Sequence, residues 1–362
     1  MTPVELSRTV LHAVRRAVDE GELSVALPER VLVAPPGPGG CGDYSTNVAL
    51  QLARPAGLPA RKVAEVLRPY LLGAGGIGDV VVTGPGFLNF GLRGTAPVGL
   101  VREVLRGGLR YGHGDALAGQ AVRLNAAHEV RAVVQLDAVA RLLRSQGARV
   151  HAGCAGPVEV AWGSVLGVRV DGVRDPATPT HHDSPAGTGI RPVPVPAGID
   201  IRPVPAPADP LPLGRDAARW ALLRPAPHDR PRLGDEHLVQ RESNPLFRIR
   251  YAHARSRGLV RNAADLGFGS EPGPVEARAL LQGLADHPRA LVGAATHCAP
   301  DRLARHLVTV ADALLPLLPA VLPLGDEKPS AAHRARLALA EAAGTVLAGG
   351  LSLLGIDAPD HL

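Results

Sequence analysis

The sequence predicts a multidomain protein of mixed architecture, α/β plus all-α, with small α/β units first and a helical bundle last. Three observations predict it. Up to residue 175, helix-period stretches alternate with short β-rich runs set off by glycine turns. Residues 176–212 then hold eleven prolines. From Leu213 onward apolar residues recur at helical spacing only. A chain of 362 residues can bury two or three separate cores.

Residues 1–112 read as one small α/β domain. Thr2-Pro3-Val4-Glu5 is a capping box with proline at the first helical position, and Leu6, Val10, Val14 and Val18 form one apolar face. A second helix is expected over about Pro59 to Leu72. Asp79–Thr83 and Phe87–Leu92 read as a hairpin around Gly84-Pro85-Gly86. Residues 113–175 read as a β-α-β piece: a strand at Ala121–Asn125 and a helix from Glu129 to Gln146 with Gly147 as its C-cap. A hairpin is expected to follow, pairing Val158–Trp162 with Val165–Val170. Residues 176–212 read as a stiff linker, because proline removes ladder donors and fixes an extended backbone; Ile190–Pro196 and Ile201–Pro207 repeat each other within it. In the region 213–362, Leu303, Leu307, Val310, Leu314 and Leu317 mark a bundle seam, and the last helix is expected from Ser330 to Leu354, ending at Gly355.

Composition excludes several classes. Cys41, Cys154 and Cys298 are far apart with no Cys-x-x-Cys pair, which excludes a zinc ribbon and a disulfide framework and predicts a reducing, cytoplasmic setting. Glu5 and Arg8 stand where a signal peptide needs an apolar run. The stretch Ala313–Leu324 is short and holds three prolines, so no membrane association is expected. His181-His182-Asp183 reads as a solvated loop rather than a metal site, and no cofactor is expected. Gly37-Pro38-Gly39-Gly40 lacks the Gly-Lys-Ser/Thr ending of a phosphate loop. The net charge of +5 suits a polyanionic partner.

Asn244-Pro245-Leu246-Phe247-Arg248-Ile249-Arg250-Tyr251-Ala252-His253-Ala254-Arg255 resembles the segment that opens the anticodon-binding (DALR-type) helical domain of arginyl-tRNA synthetases. Arg302-Leu303-Ala304-Arg305, Arg336–Ala342 and the ending Leu353–Asp360 follow in the family's order. Gly42–Asn47 and Gly84–Asn89 resemble blocks of the same family's N-terminal domain, which contacts the tRNA elbow. The resemblance implies tRNA as partner. It also identifies 113–175 as a vestige of the Rossmann-like class I catalytic domain, a spacer between two tRNA-binding domains.

The implied tRNA-binding residues are Arg248, Arg250, Tyr251, His253, Arg255, Arg257, Arg261, Arg302 and Arg305 in the C-terminal region, and Tyr44, Asn47, Phe87 and Asn89 in the N-terminal one. Six arginines face one acid between Arg241 and Arg261, and Arg248, Tyr251 and Arg255 share a helical face, which suits unstacked bases and phosphates. A second reading stands beside this one, with Tyr251 and His253 packed inside the bundle and Tyr44 and Phe87 in the N-terminal core.

The chemistry of the family is another matter. A class I synthetase places positive charge on the triphosphate through a His-x-Gly-His turn and a lysine loop. Neither occurs here: His128 stands alone in Asn125–Val134, and Lys62 and Lys328 are the only lysines. The sequence therefore predicts a non-catalytic tRNA-binding relative. The alternatives are an enzyme with a diverged or trans-completed site, and a protein-interaction scaffold.

Overall fold

The computed structural model describes residues 2–37, 42–92, 96–173 and 198–362. His181-His182-Asp183, Cys41, most of Gly37–Gly40 and the first proline repeat lie outside these.

The first body runs to residue 92. Helix α1 (Pro3–Asp19) starts at the expected capping box, in which Thr2 Oγ1 accepts from Glu5 N and Glu5 accepts from Thr2 N. Strands β1 (Val33–Ala34) and β2 (Tyr44–Thr46), helices α2 (Val48–Ala56) and α3 (Ala60–Leu72), and strands β3 (Ile77–Thr83) and β4 (Phe87–Leu92) follow. The sheet is antiparallel in the order β1-β2-β4-β3. The expected hairpin is β3–β4. Its Gly86 has φ +138°, and a Cβ there would lie 2.8 Å from the Ala60 carbonyl carbon, so the turn requires glycine. Helix α2, which the sequence reading passed over, ends at Gly57 in the left-handed region.

The second body begins with α4 (Ala96–Gly107), which packs on the C-terminal helices and not on the first body's core. The boundary therefore falls between residues 92 and 96 and not at 112. Tyr111 confirms the allegiance by donating its hydroxyl to the Leu284 carbonyl at 3.1 Å. Next come β5 (Ala121–Ala126), α5 (Val130–Ser145), β6 (Arg149–Cys154), the short α6 (Val160–Ser164), β7 (Gly172–Val173) and β8 (Gly198–Ile201). All four strands are parallel, in the order β7-β6-β5-β8.

Two expectations are corrected here. The hairpin over 158–170 does not form; Val160–Ser164 is helical and buries Trp162. The linker reading fails for residues 198–212. Gly198–Ile201 adds a strand to the edge of β5, and its proline-rich sequel is held in place: Val204 N donates to the Pro227 carbonyl at 2.8 Å, and Ala206 N to Glu129 at 2.9 Å.

Helices α7 (Gly214–Leu223), α8 (Pro245–Asp265), α9 (Arg278–Thr296), α10 (Pro300–Leu314) and α11 (Ala331–Leu354) form the bundle. A 3-10 turn at Leu315–Ala320 relieves α10 where Pro316 and Pro319 forbid more α-helix. The last helix ends as expected at Gly355, with φ +71°. One hydrophobic core runs through α4, the parallel sheet, α5 and all five bundle helices. The β-α-β piece is thus part of the bundle's core and no spacer. The first body sits directly on α9, where Arg289 donates to the Val33 carbonyl at 3.0 Å and Arg278 to the Gly42 carbonyl at 3.1 Å.

Pro300–Ala320 and Ala331–Leu354 are long and apolar enough to cross a membrane by length and composition, a pattern the sequence reading overlooked in α11. For α11 the apolarity has another cause: 72% of its apolar window is buried at the centre of the bundle.

Candidate nucleic-acid interface

Helix α8 is the best-defined candidate. Asn244 caps it, its Oδ1 accepting from Leu246 N at 3.0 Å, while its Nδ2 donates to the carbonyls of His237 and Val239. Leu246, Ile249, Ala252, Leu259 and Ala263 face the core. Outside that stripe the arginines divide into two rows.

The first row carries Phe247, Arg248, Tyr251 and Arg255. The Phe247 and Tyr251 rings stack at 5.6 Å, and Tyr251 is 39% exposed. Arg255 is exposed and has no side-chain partner among the described residues. Arg248 lies 3.2 Å from Asp312 of α10. A stacking surface beside a free guanidinium suits an unpaired nucleotide.

The second row is already occupied. Arg250 pairs with Asp216 of α7 at 3.5 Å, Arg257 with Asp360 at 3.2 Å, and Arg261 donates to the Asp360 carbonyl. These three fasten α8 to α7 and to the C-terminal tail.

Several predicted contacts are placed elsewhere by packing. His253 is 4% exposed, with Nδ1 3.0 Å from the Gly344 carbonyl, and burial pushes its pKa down. Tyr44 is 2% exposed under α9; its pKa is raised by burial and, secondarily, by Asp286. Asn89 is buried and locks the hairpin, donating to Thr83 Oγ1 at 2.7 Å and to the Val81 carbonyl. None of the three presents a free face to RNA. Phe87 is 39% exposed, and the half-buried Asn47 accepts from Gln51. On α10, Arg302 is exposed beside His297, and Arg305 is ion-paired with Asp301.

The second region of interest is the carboxyl end of β5. In parallel α/β sheets, phosphates bind where the strand order reverses, against the amino end of the following helix. Here the reversal lies between β5 and β8, and the place is filled from within. Glu129 caps α5 with its own carboxylate, accepting from Arg131 N at 3.1 Å and Ala132 N at 2.8 Å, and it also takes Ala206 N. Across the crevice Asn125 donates to Asp200 at 3.3 Å. His128 turns aside to the Pro157 carbonyl, 2.8 Å away, with its ring against Trp162.

Arg131, fully buried, spends its whole guanidinium on backbone. It donates to the carbonyls of Leu222, Val204, Asp229, Pro225 and Ala226 at 2.7–3.3 Å. This fork ties the strap 204–206 to the loop after α7. The outer side of that loop, with the start of α8 and Arg305, encloses a groove of about 570 Å³. Its Arg224, Arg230 and Arg232 escaped the sequence reading. The available signal was the density of arginine and proline in Arg224–Arg232, just before the Asn-Pro cap.

The antiparallel first body, the parallel sheet and the helical bundle define a multidomain α/β and all-α class of protein, and comparison with known proteins narrows it. Residues 5–92 match the arginyl tRNA synthetase N terminal domain, and residues 249–362 match the DALR anticodon binding domain. A Renibacterium salmoninarum arginine–tRNA ligase is 42% identical over 164 residues, 41% of this chain and 30% of that protein. The Frankia alni arginine–tRNA ligase is 27% identical, with 100% of both chains covered; that alignment runs over 557 residues against the 362 of this chain. The Thermus thermophilus arginyl-tRNA synthetase shares the fold with TM-score 0.67 at 16% identity, covering 100% of each chain. The chain is an arginyl-tRNA synthetase-related protein with a DALR-type anticodon-binding domain.

Proposed function

We propose that this chain binds tRNA, arginine tRNA in particular, in the cytoplasm and does not itself activate an amino acid. In this reading the anticodon strand lies along the first row of α8, with Tyr251 under a base and Arg248 and Arg255 on phosphates. Arg302 and Phe87 offer further exposed contacts, and the half-buried Asn47 a partly exposed one. Residues 121–173 with 198–201 are what remains of the nucleotide-binding fold.

The observation that carries the non-catalytic half is the Glu129 cap. A triphosphate needs positive charge and free donors at the amino end of α5. This chain puts a carboxylate there, uses two of the first-turn amides, those of Arg131 and Ala132, on it, and lays residues 204–206 across the same carboxylate. The missing His-x-Gly-His turn and lysine loop point the same way.

A second reading, a ligase whose site is diverged or completed by another chain, is favoured by the full-length alignment with arginine–tRNA ligases. Arginine-dependent ATP–pyrophosphate exchange separates the two. The purified chain is expected to show none above background, and robust exchange in a contaminant-free preparation sinks the first reading. For the RNA half, Arg248→Glu with Arg255→Glu should flatten the log–log salt slope of tRNA binding by about one to two units. Tyr251→Ala should leave the slope unchanged while costing about 1–3 kcal/mol. A folded Tyr251→Ala protein with unaltered affinity removes the ring from the interface.

A further inference from the structure

The groove beside the start of α8 has an unusual charge balance. Arg224, Arg230, Arg232 and Arg305 line it against two carboxylates, Asp229 and Glu236. Arg305 is matched by Asp301. Arg224, Arg230 and Arg232 are exposed, and none of their side chains has a hydrogen-bond or ion-pair partner among the described residues. Neither acid forms an ion pair with them among the described residues; Asp229 lies 3.8 Å from His228, and Glu236 lies 3.9 Å from His237. Three arginines against two carboxylates leave the concavity with an excess of positive charge that a bound anion would offset.

The wall that carries them is fixed from beneath. The buried Arg131 fork holds the carbonyls of Pro225, Ala226 and Asp229, which are themselves lining residues. Asn244 and Pro245 bring the amino end of a 21-residue helix to the opposite wall, adding partial positive charge. The groove is also continuous with the first row of α8. Pro245 lines it, and Arg248, Tyr251 and Arg255 follow within ten residues, about 15 Å along the axis.

We propose that this groove is an oxyanion site that takes a phosphate group, supplied by the RNA strand that lies along α8. The proposal rests on the tRNA-binding reading above and extends it from the helix face to the loop before it. Arginine suits the task because its planar fork meets two phosphate oxygens at once.

The test compares tRNA binding by the full chain, by an Arg224→Ser/Arg230→Ser/Arg232→Ser variant, and by an Arg8→Ser/Arg15→Ser/Arg30→Ser control that loses the same charge from the first body. Circular dichroism and Tm verify folding; the substituted groove residues are exposed. The groove variant should lower the salt slope by about 0.7 units, the value for one single-strand phosphate contact. The control should change it by less than about half a unit. Equal changes in the two variants, or no change in either, overturn the proposal. If the unmodified chain binds no tRNA at all, the tRNA-binding reading fails and inorganic pyrophosphate decides the groove separately. A pyrophosphate-induced rise in Tm that the groove variant abolishes assigns the site to a free oxyanion. No rise in either protein overturns it.

Discussion

Replacing Arg131 with Met tests how the parallel sheet, the strap and the groove are held together. Methionine keeps most of the side-chain volume and removes the fork. Five backbone carbonyls, those of Leu222, Val204, Asp229, Pro225 and Ala226, then lose the guanidinium, Ala226 keeping a second donor in Asp229 N, and the side chain that served them is fully buried. Hydrogen bonds from a charged donor contribute about 1.5–3 kcal/mol each. These five share one rigid group and cannot be added; with buried acceptors left unsatisfied at about 1–3 kcal/mol each, a total of about 3–5 kcal/mol is expected. For a body of this size each kcal/mol lowers Tm by roughly 2–4 °C, so the expected fall is about 6–20 °C. Differential scanning calorimetry reads that fall, and hydrogen exchange locates it. The amides of Val204 and Ala206, bonded to Pro227 and Glu129, should lose protection before those of α9 and α11. Arg131→Lys keeps the charge but not the fork, so it should recover only part of the loss. A Tm within about 1 °C of the parent, with protection at 204 and 206 intact, refutes the argument that this guanidinium holds the strap.

Stability should fall with acid through two neighbouring histidines, the buried His287 of α9 and the half-buried His306 of α10. Burial lowers the pKa of His306 to about 4, and burial with His306 and His113 nearby pushes His287 well below its ordinary value. The unfolded chain therefore binds protons that the native state refuses. The contribution is complete above about pH 6.5 and is lost as pH falls toward 4, by about 3 kcal/mol for His306. In a pH series of urea melts His306→Asn should flatten this dependence; parallel curves for the two proteins contradict it. Asn89→Ala should destabilise the first body by about 1–3 kcal/mol while leaving the salt slope of tRNA binding unchanged. A changed slope with unchanged stability returns Asn89 to the interface.

The sequence alone determined what local rules control. The capping box at Thr2, the Asn244-Pro245 start of α8, the Gly84–Gly86 turn and the Gly355 stop each depend on a few adjacent residues, and each lies where the pattern places it. The family blocks in 244–255 and 42–47 were equally legible, because they are short words in fixed order. Tertiary structure alone decided which functional side chains are free. Helical spacing puts Arg248 and Arg255 on one row and Arg250 and Arg257 on another. It cannot say that acids from residues 216 and 360 arrive to occupy the second row. Tyr44 and His253 look like contact residues until α9 and α11 close over them. The proline content of 198–212 is a true local preference for extended backbone. The partner that turns Gly198–Ile201 into a strand lies some 75 residues earlier, at Arg123–Ala126, and no local signal names it. Burial and pairing are set by residues distant in the chain, and these decided which charges a bound RNA could still meet.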